Sequence, residues 1–104
     1  MDRNDLEREV LRLAPWYYAW DLDGVRTEET PPCDEEGHRR VACPPIFDGF
    51  WRGKSVLDVA CNEGAYGLGA LGHGADRLVG FDCRDVNVEK ARLVARVLGH
   101  EGAT

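Results

Sequence analysis

Apolar residues recur at helical spacing at the start of the chain. Leu6, Val10 and Leu13 form one stripe, which Leu11 broadens, and the spacing predicts a short amphipathic helix over residues 2–14. Asp2 or Asn4 is placed to cap it, Asp5 and Glu7 suit the positive end of its dipole, and Pro15 ends it. An aromatic block comes next, Trp16-Tyr17-Tyr18-Ala19-Trp20, and then Asp23-Gly24, a tight-turn pair. A small hairpin or extended arm is expected here. Residues 28–45 carry charges and the prolines Pro31, Pro32, Pro44 and Pro45, the composition of a loop or linker. Ile46, Phe47, Phe50 and Trp51 suit a short helix packed on the C-terminal domain.

From residue 55 the pattern becomes regular. Ser55 to Ala60 reads as a strand of the buried type, Cys61 to Gly64 as a turn, and Ala65 to about His73 as a helix weakened by Gly67, Gly69 and Gly72. Arg77 to Asp82 reads as a second strand. Val86 to Leu98 reads as a second helix, with Val88, Ala91, Val94, Ala95 and Leu98 on one face and Gly99 as its stop. Strand, helix, strand, helix in this order predicts an α/β fold: a parallel pair with a right-handed crossover, the opening of a doubly wound sheet. The expected division is an N-terminal extension over residues 1–54 (helix, aromatic arm, loop) and a partial sheet domain over residues 55–104. The third strand expected after Gly99 is not in the sequence.

Ligands of open α/β sheets sit beyond the carboxyl ends of the strands. The turn Ala60-Cys61-Asn62-Glu63-Gly64 lies at one such end, and Asp82 closes the next strand. A carboxylate there can accept hydrogen bonds from both hydroxyls of a ribose, so a nucleoside-containing ligand is expected. Gly67-Leu68-Gly69-Ala70-Leu71-Gly72 matches the dinucleotide fingerprint G-x-G-x-x-G. That fingerprint must directly follow the first strand, and here it falls inside the helix, so it is set aside. Those glycines are expected to permit close helix–sheet contact instead. In the turn itself, Glu63 opposes a pyrophosphate at the helix N-terminus. Asp58 and Glu63 together favour a positively charged ligand. Glu63 has a second reading, as a complement to the helix dipole.

Val56 to Gly64 resembles the first motif of the class I S-adenosylmethionine-dependent methyltransferases. Val79-Gly80-Phe81-Asp82, with Glu89-Lys90-Ala91-Arg92 downstream, resembles their second. The Cys-Asn-x-Gly form of the turn is similar to a subgroup that includes tRNA wobble-uridine-modifying enzymes. Trp16-Tyr17, Asp21-Leu22, Gly24, Thr27 and Arg52-Gly53-Lys54 fit the same subgroup. The resemblance implies a Rossmann-like methyltransferase fold of which the first β-α-β-α part is present. It implies S-adenosylmethionine as cofactor. Asp58 would anchor the turn and help orient the methionine end, which Ala60, Cys61, Asn62, Glu63 and Gly64 would wrap. Asp82 would hold the ribose, and Cys83 would lie beside the adenine. Cys61 and Cys83 also read as small, buried, inert side chains. Ala60 stands where the family usually has glycine. The aromatic block is expected to pack the N-terminal arm onto the sheet, with base stacking as the other reading.

Composition changes this picture little. Of 104 residues, 43% are hydrophobic and 31% charged, an ordinary soluble balance. The polar start argues against a secretion signal and no apolar run suits a membrane span, so a cytoplasmic location is expected. With 13 basic and 19 acidic residues the net charge is −6, which argues against DNA and against autonomous RNA binding. Cys33, His38 and Cys43 lack the close spacing of zinc ligands, and no metal is expected. His38, His73 and His100 have no motif context, and no residue declares itself a general base. The function expected is the cofactor-binding half of a methyltransferase acting on a small molecule or RNA, inactive alone. The alternative is a non-catalytic nucleoside-binding module. In either case a complementing C-terminal half or a second copy can pair with the open sheet edge.

Overall fold

Helix α1 runs from Arg3 to Arg12 in the computed structural model of the chain, which describes residues 1–27, 40–41 and 49–101. The chain divides into two compact units, Met1–Ala42 and Cys43–Thr104.

In the first unit, Asp2 caps α1 by accepting from the Asp5 amide at 2.8 Å. Leu6, Val10 and Leu13 are buried, each contributing about 1.5–3 kcal/mol in apolar transfer. Leu11, expected to widen this stripe, faces solvent, because neighbouring helical positions diverge by about 100°. The Ala14–Pro15 peptide is cis. Trp16 is buried and its indole N–H donates to the Val10 carbonyl at 2.9 Å. Trp20 is also buried, whereas Tyr17 is exposed. The two tryptophans are therefore packing residues of this unit. Strands β1 (Tyr18–Ala19), β2 (Asp21–Leu22) and β3 (Val25–Arg26) come after it, with β4 at Arg40–Val41. Strands β2 and β3 form the hairpin, with Asp23 and Gly24 both at positive φ (54° and 90°), as a mirror-image two-residue turn requires. Residues 40–41, expected in a loop, pair in parallel with β1. The buried Thr27 hydroxyl accepts from the Trp20 amide and donates to the Tyr18 carbonyl, both at 2.8 Å.

In the second unit, residues 49–53 make turns in place of the expected short helix, and Ile46 and Phe47 lie outside the described residues. Gly53 N donates to Gly74 O, and Asp76 N to Lys54 O, which ties this segment to the sheet domain. Then come β5 (Ser55–Val59), α2 (Ala65–Gly72), β6 (Arg77–Phe81) and α3 (Asp85–Leu98). β5 and β6 pair in parallel, with Val56 opposite Leu78 and Asp58 opposite Gly80. Gly99 ends α3 at φ 79° while His100 N donates to Ala95 O, a left-handed helix stop.

The pair is buried on one face. Leu78 is buried, with Val56 and Asp58 half-buried on the same side, near Ala65, Leu68 and Leu71 of α2. On the other face Leu57, Val59, Val79 and Phe81 are 65%, 62%, 54% and 50% exposed. The expectation of a strand buried on both faces is thus corrected for β5: alternate residues stand open. α3 also differs from expectation. Its buried residues are Lys90, Leu93, Val94 and Ala95, while Leu98 is exposed. The long apolar stem of Lys90 joins the stripe because its ammonium finds a buried partner.

Candidate functional site

The chain leaves β5 through a turn with unusual backbone geometry. Ala60, Asn62 and Gly64 all have positive φ, at 55°, 53° and 87°. Asparagine and glycine tolerate this region, but alanine does not favour it. Cys61 N donates to Phe81 O at 2.9 Å, extending the strand ladder by one residue, and Gly64 N donates to Cys61 O at 2.9 Å, closing the turn.

Two carboxylates hold the turn. Asp58 Oδ2 accepts from Gly67 N at 3.2 Å, fixing the first turn of α2 to β5. Burial pushes the Asp58 carboxyl up, partly countered by that bond. Asp82 Oδ2 accepts from Asn62 N at 2.9 Å, while Oδ1 accepts from Arg84 N at 2.9 Å and Asn87 Nδ2 at 3.2 Å. The Arg84 amide above all, then the Asn62 amide, holds the Asp82 carboxyl below its ordinary value. It is ionised at neutral pH and acts as an acceptor. Asp82 thus clamps the turn after β5 to the loop after β6. Cys61 is half-buried, and burial, aided by the charges of Asp58 and Asp82, pushes its thiol up, so it stays protonated. Cys83 is exposed.

Glu63 is placed differently from expectation. It is fully buried, and its Oε2 accepts from Lys90 Nζ at 3.2 Å. Its negative charge is matched inside the fold and does not face a ligand. The preference for a cationic ligand that Glu63 implies therefore weakens, and Asp58 and Asp82 carry what is left of it. A cavity of about 270 Å³ adjoins the turn. It takes Asp58, Cys61 and Gly64 from the site and Leu68, Leu78 and Val88 from the packed layer, and it does not include Asp82 or Glu63 among its lining residues.

Gly67 meets the expectation for its class: a Cβ there would lie 2.6 Å from Leu78 Cδ1. Gly72 does not, since nothing lies within 4 Å. Both sit within α2, away from the turn where a dinucleotide fingerprint would act. Sequence reasoning missed Asn87, and it named Gly80 and Lys90 only within the second-motif resemblance, without a role. A Cβ on Gly80 would meet the Cys61 side chain at 3.3 Å, so the strand must be bare where the turn crosses it. The signal for Lys90 was its helical spacing from Leu93 and Val94. Cys33, His38 and Cys43 lie outside the described residues. Among the described residues no group of three or more His, Cys, Asp or Glu side chains could hold a metal, and no helix is long and apolar enough to cross a membrane.

Solved structures share the fold. The N-terminal domain of EvdMO1, crystallised with S-adenosylhomocysteine bound, superposes with a TM-score of 0.70 over 96% of this chain and 43% of its own, at 21% identity. The chain carries the opening part of that domain's α/β fold. A second structure of the same domain, in the presence of S-adenosylhomocysteine and D-fucose, gives a TM-score of 0.66. In sequence the chain is similar to tRNA U34 carboxymethyltransferases. That of Pseudomonas putida (strain W619) is 37% identical over 81 residues, 77% of this chain, and that of Azotobacter vinelandii is also 37% identical over 81 residues. The chain spans about a quarter of the length of these relatives. No family model matches it.

Proposed function

We propose that residues 55–99 hold S-adenosylmethionine for a transferase whose acceptor side lies beyond the matched region. The observation that carries this reading is the Asp82 clamp, which keeps the left-handed turn and the carboxylate of the next strand together at one end of the sheet. The residues fit the cofactor. Asp82 is ionised, and three of its roughly four acceptor positions are used, leaving capacity for a ribose hydroxyl. The backbone of Ala60 to Gly64 would wrap the methionine end, with Asp58 anchoring the turn from behind. Cys83, exposed beside Asp82, would flank the adenine. When bound, the cofactor supplies an electrophilic methyl group on a sulfonium. The task of these residues is to orient it, since positioning dominates such transfers. The relatives named for tRNA U34 suggest an RNA acceptor. With a net charge of −6, contacts to RNA phosphates would have to come from elsewhere in a longer protein or from a partner chain.

Isothermal titration of the full chain with S-adenosylmethionine, S-adenosylhomocysteine and NAD tests the reading. Binding of the first two, weakened about tenfold or more by Asp82→Ala through loss of charge-assisted hydrogen bonds, is expected. Preference for NAD would overturn it. The second reading, an interaction module, is favoured by the open face of Leu57, Val59, Val79 and Phe81 and by strand edges with no third strand among the described residues. It predicts binding of a C-terminal half supplied in trans without any transfer activity.

A further inference from the structure

The turn rests on α3 as well as on Asp58 and Asp82. A Cβ at Gly64 would lie 3.2 Å from the Ala91 Cβ, so the turn backbone lies close against the helix. One residue before it, Glu63 turns inward, and Lys90, on the same helix as Ala91, meets it at 3.2 Å. Both side chains are almost wholly removed from water. A buried ion pair of this kind is a weak source of net stability, because desolvation offsets much of the attraction. What such a pair does offer is a directional contact that apolar packing lacks. With Glu63 drawn into the fold, its neighbour Asn62 adopts φ 53° and hands its amide to Asp82.

We infer that Lys90 is a positioning residue: by holding Glu63 it sets the turn against α3 and so presents the Asn62 backbone to Asp82 and to the ligand. This rests on the cofactor reading above for its functional consequence, but its structural part stands apart from it.

Two variants test it, Lys90→Met and the pair Lys90→Met with Glu63→Gln. The single variant takes the Lys90 ammonium away from a buried carboxylate and destabilises the unit; the double variant removes both charges of this pair and recovers stability. Amide hydrogen exchange is read at Asn62, with the Thr27 amide of the other unit as reference, and S-adenosylhomocysteine affinity is measured by titration. In the folded double variant the Asn62 amide is expected to exchange at least about tenfold faster, with Thr27 unchanged and affinity about tenfold weaker, the equivalent of one lost hydrogen bond. A role in stability alone would restore Asn62 protection and affinity together with the melting temperature. Asn62 exchange within about twofold of wild type in the double variant would overturn the inference, twofold being well under the worth of one hydrogen bond. Faster Asn62 exchange in a protein that never binds S-adenosylhomocysteine would leave Lys90 as a positioning residue and sink the cofactor reading. Wild-type binding with unaltered exchange and affinity in the double variant would do the reverse.

Discussion

Ala60 occupies a backbone region where a side chain is strained, at φ 55°. The left-handed region costs an alanine about 1–2 kcal/mol, while glycine loses about 0.4–1 kcal/mol through its freer unfolded chain. Ala60→Gly should therefore raise stability by about 0.5 kcal/mol, read from urea unfolding midpoints. Asp82 and Asp58 carry opposite pH signatures. The Asp82 carboxyl is depressed by its amide donors, so its stabilisation is present above the unfolded carboxylate value and is lost as acid passes through the folded one. Asp82→Asn should flatten the acid limb of a stability-versus-pH curve and lower stability at neutral pH. The Asp58 carboxyl is raised by burial, so its ionisation opposes folding as pH rises from the unfolded to the folded value. Asp58→Asn keeps an oxygen for the Gly67 amide and should leave neutral-pH stability unchanged or higher. A marked loss at pH 7 would contradict that sign.

Within the elements, the two testable glycines of α2 separate cleanly. Gly67→Ala pushes a methyl against Leu78 and the Asp58 carboxylate, 2.6 and 3.1 Å away, and should lower stability by about 1–3 kcal/mol. Gly72→Ala meets open space and should raise it by up to about 0.5–1 kcal/mol, the ordinary difference in helix propensity. Thermal unfolding of the two variants side by side checks both. Much of the second unit was legible in its sequence, because strand and helix periodicities are local and the turn residues Asn62 and Gly64 announce their own backbone. The hairpin at Asp23-Gly24 was legible for the same reason. The destination of Glu63 was not. An acidic residue in a turn ordinarily faces water, and its partner Lys90 is 27 positions away on a helix where lysine usually marks the solvent side. Leu57, Val59, Val79 and Phe81 misled in the opposite sense: their apolar character forecast burial, which depends on what covers the sheet and not on the strand itself.

At the scale of the molecule, those four side chains form a contiguous apolar face on a two-stranded sheet, and exposed apolar surface of that kind favours association. The chain should self-associate with rising concentration in sedimentation velocity runs. Leu57→Asn with Val79→Thr should reduce that association while leaving the melting temperature within about 2–4 °C, since neither side chain is buried. Concentration-independent sedimentation of the wild type would count against it. The register that pairs Ser55 with Arg77 has a kinetic meaning as well. The two strands are parallel and joined through α2, so their pairing is non-local. Parallel pairing of that kind must close a loop before its contacts form, which slows folding, so the second unit completes its sheet only after Phe81 has left the ribosome, and its apolar face is uncovered from then on.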